Sequence, residues 1–156
     1  MITIKKSENN WEIKSAQGKI LLNNDVFLGD FKIPGSGEFE VLGIQAEVLD
    51  GISTFYADDI VIVYIHKTKT HFTPEEIKHL GKSDIIFLPV AGTGTMTISE
   101  ALKLLAEIEP TIVIPIHYQD VTELSKAEGI KIEEQKELKV NKNDLVSEER
   151  RVIVLQ

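Results

Sequence analysis

The chain has no cysteine. Disulfides, thiolate nucleophiles, iron–sulfur clusters and cysteine-based zinc sites are therefore excluded, and a metal centre would have to be built from His, Asp and Glu. No apolar run approaches the ~18–20 residues that cross a bilayer, so no membrane partner is expected. Met1-Ile2-Thr3-Ile4-Lys5-Lys6 lacks the basic-then-apolar order of a secretion signal, and the cytoplasm is the expected location. Basic residues are in deficit: 17 Lys and Arg stand against 25 Asp and Glu, a formal net charge of −8. No basic stripe interleaves with aromatics, and long-range electrostatics oppose nucleic acid as a partner. Tryptophan occurs once, at Trp11 among strand-like segments, where it reads as core packing. What remains is a chain of 156 residues, 42% hydrophobic and 27% charged, which predicts one soluble domain over residues 1–156 with a real core.

The first 65 residues read as short strands. Residues 2–5, 11–15 and 19–22 alternate or run apolar, and turn residues such as Gln17-Gly18 and Asn23-Asn24-Asp25 separate them. Residues 39–42, 44–48, 53–56 and 60–65 continue the pattern, with Gly43, Gly51 and Asp58-Asp59 between them. This half predicts an antiparallel meander. Helices enter after it. Thr73-Pro74-Glu75-Glu76 and Thr97-Ile98-Ser99-Glu100 are capping boxes, and Asp120-Val121-Thr122-Glu123 can cap a third helix ending near Gly129. Residues 85–90 and 112–116 are apolar strands around the second helix, a right-handed parallel unit. The tail alternates again over 130–134, 137–140 and 151–155. The expected class is α/β (α+β), sheets with helices on their outer faces. The expected core includes Ile13, Leu21, Val41, Ile44, Val61, Val63, Ile86, Leu88, Leu102, Leu105, Val113 and Ile114.

Ligands in open parallel sheets bind beyond the carboxyl ends of the strands. Two segments leave strands there: Ala91-Gly92-Thr93-Gly94-Thr95 and His117-Tyr118-Gln119-Asp120. The first opens a helix, and Gly92, Thr93, Gly94 and Thr95 are candidates for holding an anion on backbone N–H groups. It carries no phosphate-loop lysine, and a tight turn with a helix cap explains it as well. His117 is placed to bind a metal or act as a base; its structural reading is a hydrogen bond to nearby backbone. His79 reads as surface near a helix end. His66 and His71 flank Lys67-Thr68-Lys69-Thr70, where a lysine repels a divalent cation. No H-x-x-x-H pair and no nucleophile elbow occurs, so no catalytic residue is assigned.

Four segments, in order, resemble the small lactonase-like branch of the metallo-β-lactamase superfamily. They are Gly37-Glu38-Phe39-Glu40-Val41-Leu42-Gly43-Ile44, the stretch from Thr73-Pro74-Glu75-Glu76 to Asp84-Ile85-Ile86-Phe87-Leu88-Pro89-Val90, Thr95-Met96-Thr97, and Glu109-Pro110 through Ile114-Pro115-Ile116-His117-Tyr118. The resemblance implies an αββα sandwich, here reduced, with metals held at one edge between two sheets. In active members an H-x-H-x-D-H loop supplies most ligands, and a metal-bound hydroxide attacks an ester, lactone, amide or phosphoester.

This chain departs from that pattern. H-x-H-x-D-H is absent, and residues 23–36 contain no histidine. The position of the family's bridging aspartate, counted back from Thr73, falls at about Lys67. Of the ligands the resemblance implies, only His117 matches. The expectation is a fold member without metal binding or hydrolase activity, acting as a binding or assembly module. No cofactor is then expected. Its partners would be further copies of itself or a small anion, taken up by Lys67, Lys69 and the Gly92–Thr95 turn. The alternative is a zinc-dependent hydrolase of lactones, esters or phosphoesters, with a site rebuilt from His66, His71 and His117 plus Asp30 or Asp120. A third reading is an unrelated α/β binding module.

Overall fold

Period-two alternation builds the first sheet. Strand β1 (Ile2–Ser7) buries Ile2 and Ile4, β2 (Asn10–Lys14) buries Trp11 and Ile13, and β3 (Lys19–Leu22) buries Ile20 and Leu22. The residues between them point outward, as the pleat requires. In the computed structural model of the chain, which describes residues 1–129, 131–145 and 149–156, two short strands extend this sheet: β4 (Val26–Leu28) and β5 (Phe31–Lys32). Neither is long enough to alternate, and the sequence reading missed both. A late strand, Glu137–Val140 (β13), closes the other side by pairing antiparallel with β1, so the order is β13-β1-β2-β3-β4-β5.

The second sheet has eight strands. Strands β6 (Gly37–Val41), β7 (Ile44–Leu49), β8 (Ile52–Ala57) and β9 (Ile60–Ile65) run antiparallel. Beyond β9 the pairing turns parallel through β10 (Ile85–Pro89), β11 (Ile112–Ile116), β14 (Arg151–Leu155) and β12 (Ile132–Gln135). The expected single meander is thus divided between two sheets after β5. The tail strand begins at Ile132; Ile130, where it was expected to begin, lies outside the described residues.

Every residue of β10 and β11 is buried, because both faces are covered. One face meets the six-stranded sheet, with Ile13, Trp11, Ile62, Phe87 and Ile114 in one cluster. The other lies under the helices, where Ile86, Leu88 and Val113 pack with Leu80, Leu105 and Leu124. Helix α1 (Pro74–Leu80) and helix α2 (Ile98–Ile108) both start at complete capping boxes, on Thr73 and Thr97. Helix α3 (Thr122–Glu128) starts at Val121 with no side-chain cap. Asp120 was expected to cap it and instead accepts hydrogen bonds from the Thr122 N–H at 2.9 Å and its hydroxyl at 2.6 Å. Among the described residues no α-helix covers the outer face of the six-stranded sheet, so the sandwich is reduced to sheet, sheet and helices.

Four expected core residues are only partly buried. Leu21 and Val61 are one residue out of phase with Ile20 and Leu22, and with Ile60 and Ile62, which take the core face. Val41 and Leu102 pack on the core's margin.

Candidate functional site

The parallel strands all release their chain at one edge of the sandwich. There β9 runs into His66-Lys67, β10 into Val90-Ala91-Gly92, and β11 into His117-Tyr118. Across from them the six-stranded sheet presents two turns, β1–β2 with Asn9 and β3–β4 with Asn23-Asn24. Between the two lies a cavity of about 540 Å³, lined by His117, Tyr118 and Lys67 on one side and by Lys6, Trp11 and asparagines on the other.

His117 is fixed by its backbone. Its φ is +57°, in the left-handed region, and Ala91 across the loop stands at +59°. The Gln119 N–H donates to the Ala91 carbonyl at 3.0 Å, which ties the two loops together. Gly92 fits only because it has no side chain: a Cβ there would lie 1.8 Å from the His117 carbonyl oxygen. The imidazole meets the Trp11 ring edge-on, centroids 5.5 Å apart at 87°. Among the described residues the ring makes no hydrogen bond, which removes the backbone-bonded structural reading. Its pKa is lowered first by burial, then by the positive charges of Lys67, His66 and Lys6. Burial, aided by Glu134, raises the Tyr118 pKa, so its phenol stays a donor.

The other expected residues are dispersed. Lys67 lines the His117 cavity, but Lys69 is held by Glu76 at 2.7 Å and lies over the Phe72 ring. Gly92–Thr95 is a turn outside that cavity's lining, closed by bonds between Gly92 and Thr95. The Gly92 N–H donates to the Thr95 hydroxyl at 2.8 Å, and that hydroxyl donates to the Gly92 carbonyl at 2.9 Å. Thr93 accepts from the Gln119 amide at 3.3 Å, and a Cβ placed on Gly94 would meet nothing within 4 Å. His66 opens on a neighbouring cavity beside Tyr64, and His71 on a groove with Glu100 and Lys103. His79 is not a free surface residue: its Nε2 lies 2.8 Å from the hydroxyl of buried Thr54. Lys6, Asn9, Asn10 and Asn24 were not singled out from the sequence. Their only local signal is a turn composition, and sheet pairing alone brings them to His117.

The sequence model of a family described as "Beta-lactamase superfamily domain" matches residues 8–117, ending on this histidine. The chain belongs to the metallo-β-lactamase superfamily. Two solved structures share the fold. A Thermotoga maritima protein assigned as a Zn-dependent hydrolase of the metallo-beta-lactamase superfamily superposes with a TM-score of 0.83 over 99% of both chains, at 17% identity. A metallo hydrolase from Ignicoccus hospitalis matches with a TM-score of 0.64 over 90% of this chain and 99% of its own, at 10% identity. In sequence, a metal-dependent hydrolase from Nanoarchaeum equitans is 48% identical over 44 residues, 28% of this chain and 20% of its own. Another from Methanosarcina mazei is 41% identical over 64 residues, 36% of this chain and 28% of its own. A Pyrococcus furiosus protein of the same family is 30% identical over 63 residues, 40% of this chain and 30% of its own. The matched segments span less than a third of the length of these curated relatives.

The Nanoarchaeum and Methanosarcina relatives are named as metal-dependent, and the described residues of this chain do not fit a metal. Among the described residues no group of three or more His, Asp or Glu side chains converges. The charged side chains that line the cleft beside His117 are Lys6 and Lys67, ammonium groups that oppose a cation rather than hold it.

Proposed function

We propose that this chain is a ligand-binding member of the metallo-β-lactamase superfamily, whose cleft at His117 takes up a small molecule without a resident metal. The observation that carries this reading is the company of His117: Lys6, Lys67 and asparagines, with no carboxylate in the lining among the described residues. A zinc site needs three or four neutral or anionic donors, and this cleft offers one imidazole.

The second reading is metal-dependent hydrolysis of a lactone, ester or phosphoester. The names of the relatives favour it over a lost activity. One experiment separates the two. Elemental analysis of protein purified without chelator or added metal is expected to find far less than one zinc per chain, with His117→Ala unchanged. Stoichiometric metal that disappears in His117→Ala, together with turnover of lactones or phosphoesters, would establish the hydrolase instead.

A further inference from the structure

The cleft at His117 is lined by positive and neutral donors in a chain whose overall charge is −8. Lys6 reaches it from the six-stranded sheet and Lys67 from the loop after β9, so the two ammonium groups arrive from opposite layers. Neither has a carboxylate within 4.0 Å among the described residues, whereas Lys69, two residues on, is held by Glu76. Both positive charges act on the His117 ring and disfavour its protonation. An anion seated in the cavity would offset that concentration of positive charge. Around the lysines stand Asn9, Asn10 and Asn24 and the Tyr118 hydroxyl, whose side chains make no hydrogen bond among the described residues. They are suited to hydroxyl and oxyanion groups. The cavity, about 540 Å³, is far larger than an inorganic ion and falls in the range of small-molecule sites.

We propose that this cleft binds a small organic oxyanion, a phosphate or carboxylate bearing hydroxyl groups, clamped between Lys6 and Lys67. The inference rests on the metal-free reading of the cleft: the two lysines supply the positive charge that a metal supplies elsewhere in the superfamily. The Gly92–Thr95 turn has no part in it, because it does not line the cleft and Gly92 and Thr95 bond to each other.

Calorimetric titration of the whole chain tests this, at fixed ionic strength and in excess EDTA. Glycerol 3-phosphate and inorganic phosphate report the phosphate arm, malate reports the carboxylate arm, and glycerol is the neutral control. The variants are Lys6→Gln, Lys67→Gln and, as a control on an exposed outer strand, Lys139→Gln, each checked for folding by circular dichroism. At least one anion is expected to bind while glycerol does not, and each cleft substitution weakens it by about 5-fold or more, with Lys139→Gln unchanged. Binding that Lys6→Gln and Lys67→Gln leave intact would place the anion elsewhere and overturn the proposal. No binding in EDTA, with the protein also free of zinc, would overturn it while leaving the metal-free reading in place. Binding that appears only when zinc replaces EDTA would overturn both.

Discussion

Gly92 and His117 are the residues on which the site's geometry turns. A methyl group at Gly92 would overlap the His117 carbonyl oxygen, a backbone atom that cannot swing aside. Gly92→Ala is therefore expected to cost roughly 2–3 kcal/mol in urea denaturation, the cost of forcing atoms into filled space. Gly94→Ala, with φ at +77° and open space around it, should cost only about 1 kcal/mol of backbone strain. His117 makes a pH prediction. Its folded pKa is depressed, by burial first and Lys67 second, so the unfolded chain binds more protons in the window between the two values. Stability should thus fall as pH drops through the ordinary histidine value of about 6.5, then level off below the folded value. His117→Gln should remove that part of the slope, and Lys67→Gln should move the imidazole titration upward in an NMR pH series. The only tryptophan touches this ring, so its fluorescence should follow the same titration.

Helix α2 owes its start to a local device. The Thr97 hydroxyl accepts the Glu100 N–H at 3.1 Å, and the Glu100 carboxylate accepts the Thr97 N–H at 2.9 Å. Thr97→Ala is expected to lower stability by about 1 kcal/mol, measured as a shift of the urea midpoint without a change of slope. The two capping boxes and the buried β10 and β11 could be read directly from the sequence, because capping spacing and unbroken apolar runs are local signals. Strands β4 and β5 could not, since three and two residues show no alternation. Strand β6 leaves a free edge on the larger sheet, where Glu38 and Glu40 stand exposed as charges of the kind that discourage edge pairing.

The two sheets are held face to face by aromatic residues that also support the cleft. Phe87 lies edge-on to Trp11 at 6.4 Å and to Tyr64 at 6.2 Å, and Trp11 in turn meets His117. Phe87→Ala is expected to destabilise the molecule by about 3–5 kcal/mol, the range for deleting a buried aromatic. The same variant should alter Trp11 emission in the folded protein, because the cavity opens beside the indole. Among the described residues no helix is long and apolar enough to cross a membrane.

By itself the sequence determined what depends on near neighbours: most strands, all three helices, and a histidine at the end of an apolar strand. It also determined the absence of H-x-H-x-D-H, a matter of composition that folding cannot change. Tertiary structure alone decided where the first half divides into two sheets, because strand partners are chosen by burial against distant segments rather than by local pattern. It also decided what surrounds His117. Lys6 lies near the end of β1 in one layer and Lys67 in a loop of the other, and each looks like an ordinary surface lysine in sequence. Only the packing of the sheets, driven by the apolar faces of β1–β3 and β9–β11, brings both to one cleft. The charge of that cleft is therefore a property of the fold, opposite in sign to the charge of the chain.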